Sequence, residues 1–279
     1  MCPVFFISDP SDPRLDDVRD LNHSDHRPDL PGGKGLVIAE GPLVVPRLLE
    51  SRFPVRCIVG FPEKVEKFLA SHEVDPAIPI YTVSRETLAQ VAGFDMHRGL
   101  LATADRAPAY SVDEVVRDAR TLLILEGVGD HENIGAMFRN AAGLGVDGVL
   151  FGNGCADPLY RRSVRVSMGH VLRIPFAHFG GTHTTWQREL SPLADASFRL
   201  ISLTPDPGAA HLADALVDDE GRPWERLALL AGAEGPGLTE HAMRATHIRA
   251  RIPMAPGTDS LNVATSAAIA LYERARSLR

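Results

Sequence analysis

No stretch of this chain approaches the roughly 18 consecutive apolar residues that a membrane-spanning helix needs. The apolar run Val4 to Ile7 is too short for the core of a secretion signal, and acids follow it. Cysteine is scarce: Cys2, Cys57 and Cys155 are odd in number and far apart. That predicts neither a disulfide framework nor a metal site, and it fits a reduced, cytoplasmic setting. An excess of basic residues is missing as well. The formal net charge is −7, so a nucleic-acid partner has to be met by local patches and not by a coat of positive charge.

Several catalytic signatures also lack their residues. No Gly-Lys-Ser/Thr follows any glycine run, which removes the P-loop, and the G-x-S-x-G nucleophile elbow is missing. His131-Glu132 has no second histidine to complete a zinc-protease pair. Gly143 to Gly148 (G-L-G-V-D-G) matches the dinucleotide fingerprint in letters only. That fingerprint follows a strand and opens a helix; here it ends a helix and precedes the strand Val149 to Phe151, so its glycines read as a helix cap and turn.

What is present is an ordinary globular composition, 44% hydrophobic and 23% charged over 279 residues, long enough for two domains. Asp9 to Asn22 reads as a short capped helix after a proline turn, and His23 to Gly35 as a loop. Strands are then expected at Leu36 to Ala39, Val55 to Val59, Ile80 to Val83 and Leu100 to Thr103. Helices fall at Leu43 to Leu49 and Val65 to Leu69. This makes a small α/β unit ending near Arg106, followed by a linker with a short helix at Ala107 to Arg120. Arg47, Arg52 and Arg56 gather at one helix–strand corner, and His97-Arg98-Gly99 forms a basic turn. These are either solvated arginines or contacts for RNA phosphate, and composition does not choose.

The remainder alternates strand and helix. Strands are expected at Thr121 to Leu125, Val149 to Phe151, Ile174 to Ala177, Leu200 to Leu203, Leu227 to Ala231 and Ile248 to Ile252. Helices run from Ile134, and over Leu159 to Met168, Thr185 to Leu193 and Leu261 to Ala275. The alternation predicts a mostly parallel sheet with helices on both faces. Asn133 is placed to cap the helix from Ile134, and Ser260 to open the last one. Arg139 has Gly135, Ala142 and Gly143 as helical neighbours, which leaves a shallow groove where a guanidinium could meet a ligand or a second chain. Arg161, Arg162, Arg165 and Arg173 form the densest basic cluster, either a solvated helix face or a phosphate-facing surface. Leu227 to Ala231 lacks polar alternation, the pattern of a strand covered on both faces, and breaks into Gly232, Glu234, Gly235 and Gly237. With the extended Arg251-Ile252-Pro253-Met254, this makes a plausible small-molecule site at strand ends.

Three blocks stand in order: N-I-G-A-M-F-R-N-A (Asn133 to Ala141), L-L-A-G-A-E-G-P-G-L (Leu229 to Leu238) and R-I-P-M-A-P-G-T-D-S-L-N-V-A (Arg251 to Ala264). Together with Cys155 to Gly169 they resemble the SpoU/TrmH-type RNA 2′-O-ribose methyltransferases of the SPOUT class. The resemblance covers Thr121 to the C-terminus. The N-terminal unit, with A-E-G-P-L-V-V-P-R-L-L-E-S and H-R-G-L-L-A, resembles the ribosomal-protein-L30-like RNA-binding domain of many members. The resemblance thus implies an RNA-binding domain at 1–106, a linker at 107–120 and a trefoil-knotted methyltransferase domain at 121–279. It also implies a homodimer, S-adenosyl-L-methionine (SAM) as cofactor, ribosomal or transfer RNA as partner, with the N-terminal unit favouring ribosomal RNA, and no metal or membrane. Carried over by position, SAM would be held by Leu203, Thr204, Gly232, Ala233, Glu234, Gly235, Gly237, Ile252, Met254, Ser260 and Leu261. The active-site set would be Asn133, Arg139, Glu234, Ser260 and Asn262. The alternatives are a non-catalytic RNA-binding or assembly factor on the same fold and, more distantly, a nucleotide-dependent oxidoreductase.

Overall fold

The computed structural model of the chain describes residues 3–22 and 35–279, so Cys2 and His23 to Lys34 of the expected loop lie outside the described residues. By contact the chain divides into two units, and the division is not linear in sequence. One is Met1–Pro108 with Pro158–Arg173; the other is Ala109–Asp157 with Ile174–Arg279.

In the first unit Asp12 accepts the backbone N–H of Arg14 and Pro13 pre-sets the first turn, starting a 3-10 helix over Pro13–Val18. Five strands follow the apolar runs: β1 (Val4–Ile7), β2 (Val37–Glu40), β3 (Val55–Gly60), β4 (Ile80–Val83) and β5 (Leu100–Ala104). They form one mixed sheet in the order β1-β4-β3-β5-β2. β1, β4 and β3 are parallel, and β5 is antiparallel to β3 and β2. Leu15, Val18, Val59, Val83 and Leu88 belong to its core. Sequence reading assigns neither β1 nor the helix Arg85–Ala92, although that helix carries both of its local signals. Ser84 accepts the N–H of Thr87, and Gly93 ends the helix at φ +81°.

Several basic residues of this unit have acids and carbonyls as partners. Glu40 is only 6% exposed, and it accepts Arg161 Nη1 at 3.0 Å with Arg165 3.9 Å away. Arg161 also donates to the Leu21 carbonyl and lies over the Phe94 ring. Two of the four clustered arginines therefore turn towards a buried carboxylate, while Arg162 and Arg173 are exposed at the surface. Arg56 sits between Asp17 and Asp105 at 2.7 and 3.1 Å, and Arg47 donates to the Met168 carbonyl.

The second unit holds β6 (Thr121–Glu126), β7 (Gly148–Phe151), β8 (Phe176–His178), β9 (Phe198–Leu203), β10 (Ala210–His211), β11 (Arg226–Gly232) and β12 (Ile248–Arg251). All seven strands are parallel, in the order β10-β12-β9-β11-β6-β7-β8. β11 is central, flanked by β9 and β6, and its residues Leu227 to Ala231 are buried. Ala228 and Leu230 share one core with Leu122, Ile124, Leu200 and Trp186. The opposite face is covered by the helix Val263–Ser277, which packs on β11 and on the helix His131–Leu144. Gly145 ends the latter helix in the left-handed region at φ +74°, and Gly148 begins β7. The glycine triplet is thus a cap and turn, as its context predicts. Among the described residues no helix is long and apolar enough to cross a membrane, and no group of His, Cys, Asp and Glu could hold a metal ion.

Candidate active site

β11 ends at Gly232, and the chain turns back on itself at once. Gly237 N–H donates to the Ala233 carbonyl at 3.0 Å, closing the loop as a narrow bridge. A Cβ on Gly232 would lie 2.2 Å from both Gly237 C and Leu238 N, so only glycine lets the two stems approach this closely. Gly235 and Gly237 adopt φ of +86° and +71°, which bends the tip without side-chain strain.

This loop forms one wall of a cavity of about 290 Å³, near the lower end of the range for small-molecule sites. The cavity opens at the carboxyl ends of β9, β11 and β12, where parallel α/β sheets take their ligands. Leu203, Thr204, Gly232, Ala233, Glu234, Gly235, Gly237, Ile252, Met254, Ser260 and Leu261 all line it, together with Asn262, Val263 and Ser266. Residues more than fifty positions apart in sequence therefore share one concave surface. Most of its side chains are small or apolar, and Glu234 is the charged one.

A hydrogen-bonded set of three runs from the cavity wall to the helix His131–Leu144 behind it. Asn262 Nδ2 donates to Asn133 Oδ1 at 2.9 Å and to Glu234 Oε1 at 2.5 Å. Its Oδ1 accepts the N–H groups of Ala264 and Thr265 at 3.0 and 3.1 Å. Asn262, not Ser260, is thus the cap of the last helix, and the helix begins at Val263. Ser260 is exposed at the cavity rim. Asn133 is likewise not a cap: the helix begins at His131, Asp130 accepts the Glu132 N–H at 2.7 Å, and Asn133 sits buried inside the first turn. Both differences arise because several cap-competent residues stand within a few positions, and spacing alone does not rank them.

Arg139 is exposed on the same helix and does not line the cavity. Its neighbour Asn140 donates to the Ala264 carbonyl at 3.1 Å, which fixes this helix against the first turn of the last one. The structure joins Asn133, Glu234 and Asn262 directly, places Ser260 beside them at the rim, and leaves Arg139 facing solvent.

Two titratable groups of the second unit favour their neutral forms. Burial pushes the Cys155 thiol up to about 11, against the hydrogen bonds of Val128 and Gly127, so it is no thiolate nucleophile at neutral pH. His247, just before β12, accepts the Leu200 N–H on Nδ1 at 2.9 Å, a bond that only the deprotonated nitrogen makes. Partial desolvation of its largely exposed ring, and then the Arg199 charge, hold its pKa below the ordinary 6.5. The contribution of neutral His247 is full above that value and fades as pH falls through the lower folded-state one. Urea midpoints are therefore expected to decline as pH falls below 6.5, and less so in His247→Asn, whose amide oxygen accepts without titrating. Equal declines in the two proteins would count against this account.

Strand ends feeding a glycine-walled cavity define an α/β protein that binds a small organic ligand at the carboxyl edge of a parallel sheet. The chain belongs to the SpoU rRNA methylase family, which matches residues 120–272. An uncharacterized tRNA/rRNA methyltransferase of Mycobacterium tuberculosis is 54% identical, over 97% of this chain and 91% of that one. The 23S rRNA (guanosine-2′-O-)-methyltransferase RlmB of Bordetella pertussis is 31% identical, over 71% of this chain and 78% of its own length. The crystal structure of an AdoMet-bound rRNA methyltransferase from Sinorhizobium meliloti shares the fold, with a TM-score of 0.79 at 23% identity and 99% coverage of both chains.

Proposed function

We propose that this chain transfers a methyl group from SAM to a ribose 2′-hydroxyl of RNA, in ribosomal and not transfer RNA. The observation that carries this reading is the cavity itself, whose wall is tied through Asn262 to the helix bearing Arg139. The relative that acts on guanosine 2′-O of 23S rRNA supports the choice of atom and of RNA.

The residues present fit SAM. Leu203, Ile252, Met254 and Leu261 offer apolar contact for a flat heterocycle, and the bare backbone at Gly232 offers amide and carbonyl groups at close range. Glu234 places one carboxylate at a site for a ligand with a positively charged centre. Bound there, SAM supplies an activated methyl group on sulfur. The chain's own task is alignment, which contributes up to about 7–11 kcal/mol in favourable cases. Arg139 clamps the phosphate beside the target ribose and stabilises negative charge developing on the hydroxyl oxygen. A guanidinium keeps its protons, so a phosphate oxygen or water takes the proton released. Asn262 already spends its amide on Asn133, Glu234 and the helix start, so its role is to hold the cavity wall and not to grip the ribose.

The same reading takes residues 1–106 as an RNA-binding domain, 121–279 as the knotted methyltransferase domain, and a homodimer as the working form. Mapping 2′-O-methylated positions in total RNA with and without this protein tests it. A single ribosomal position should lose its mark; an unchanged map, or purified protein that does not retain SAM, refutes it.

Arg173 is exposed, whereas Arg161 and Arg165 turn towards Glu40, so Arg173 is taken as a phosphate contact. Each such contact adds about 0.7–0.9 to the slope of log affinity against log salt. Arg173→Ala should therefore bind total ribosomal RNA more weakly, with a slope shallower by about 0.7–0.9. An unchanged slope would return Arg173 to the ordinary surface.

A further inference from the structure

We propose that Glu126 is a positioning residue for SAM, its buried carboxylate locking the glycine loop in the shape that holds the cofactor. The inference rests on the reading of the cavity as the SAM site.

Glu126 is the last residue of β6 and is 5% exposed. It does not line the cavity. Its Oε2 accepts the backbone N–H of Thr239 at 2.8 Å. Its Oε1 accepts Trp186 Nε1 at 2.8 Å, Thr239 Oγ1 at 3.0 Å and Gln187 Nε2 at 3.2 Å. All four donors are neutral. A carboxylate taken out of water is costly unless hydrogen bonds replace its solvation, and here four convergent donors do so.

The position of those donors gives the arrangement its meaning. In the ladder between β6 and β11, Glu126 stands opposite Gly232, where the glycine loop begins. Thr239 follows Leu238, where the loop ends. One residue therefore grips both stems, through the strand register on one side and the carboxylate on the other. The next residue, Gly127, passes so close to the loop that a Cβ on it would lie 3.2 Å from Ala233 Cβ. Gly232 has no room for a Cβ against Gly237 and Leu238, so a small shift of Thr239 moves the backbone that forms the cavity wall.

The test uses the full chain with SAM and with its demethylated product, S-adenosylhomocysteine, as probes in calorimetry. Glu126→Gln keeps the shape but puts an NH2 group where an oxygen accepts, so at least one of the four donors, the Thr239 N–H if the NH2 takes the Oε2 place, is left unpaired. Affinity for both probes should fall about tenfold or more. In methyl transfer, KM for SAM should rise in step while kcat at saturating SAM stays within about twofold, since no group touching the reacting atoms changes. Leu193→Ala, a core truncation in the helix Leu190–Asp195, serves as the stability control and should leave KM unmoved. Thr239→Val should weaken binding, and Thr239→Ser, which keeps both donors, should restore it; this pair decides the matter if Glu126→Gln does not fold. Wild-type affinity in Glu126→Gln, a fall in kcat at constant KM, or an equal KM shift in Leu193→Ala overturns the proposal. Failure of the wild-type chain to bind either probe would instead remove the SAM reading beneath it.

Discussion

Replacing Arg139 by alanine should lower methyl transfer by about 10²–10³-fold, the usual loss when one donor to a developing oxyanion is removed. SAM affinity should remain within about twofold, because Arg139 stands outside the cavity that the cofactor would occupy. Tritium transfer from labelled SAM measures the first quantity and calorimetry the second. Arg139→Lys separates charge from geometry. An ammonium retains the positive charge but not the planar fork that grips two phosphate oxygens, so its activity should fall between those of wild type and alanine. Wild-type turnover in Arg139→Ala would remove the residue from the mechanism. Loss of SAM affinity in the same variant would mean that its helix supports the cavity and does no chemistry.

Why Arg139 could be singled out from the chain, while its surroundings could not, is a matter of range. The cavity loops announce themselves because glycine and proline act on their own backbone: Gly232 to Gly237 and Ile252 to Met254 are marked by local conformational needs. The parallel sheet follows from alternation for the same reason. Glu126 gives no such signal. It closes an apolar strand, and its partners Trp186, Gln187 and Thr239 lie 60, 61 and 113 residues away. Nothing short of the fold reveals that this acid is a hub. Asn133 reads from the sequence as a cap and Asn262 enters only through the resemblance, but their mutual bond spans 129 positions, and that bond assigns their roles. The clustered arginines show the opposite error of scale. Composition sees four positive charges near one helix, and the fold sets Glu40, from 121 positions upstream of Arg161, among them. The helix Arg85–Ala92 belongs to a different category, for Ser84 and Gly93 are local caps that a reading of apolar periodicity alone passes over.

Gly232→Ala should be the most damaging one-carbon addition in the chain's cavity. The new methyl would sit 2.2 Å from two backbone atoms of the opposing stem, and backbone cannot rotate aside as a side chain can. Overpacking of this kind costs about 1–3 kcal/mol and sometimes more. Opening the loop to relieve it displaces the wall, so SAM affinity should fall on the order of a hundredfold or below detection. Gly235→Ala is the matched control: it adds the same methyl into open space at φ +86°, where only the left-handed strain of about 1–2 kcal/mol applies. SAM binding should survive there with a modest loss. Equal binding by Gly232→Ala and wild type would show that the bridge between the stems does not shape the cavity. The two inactive variants then answer a question that neither answers alone. Gly232→Ala lacks a cofactor site and keeps Arg139; Arg139→Ala is the reverse. Arg139 faces solvent and does not line its own cavity, so if the proposed homodimer forms, it would serve the cavity of the second copy. Co-expressed, the two variants should form mixed dimers in which one intact cavity meets one intact arginine, and methyl transfer should partly return. If the mixture stays as inactive as each variant alone while mixed dimers are present, the arginine acts only on its own chain.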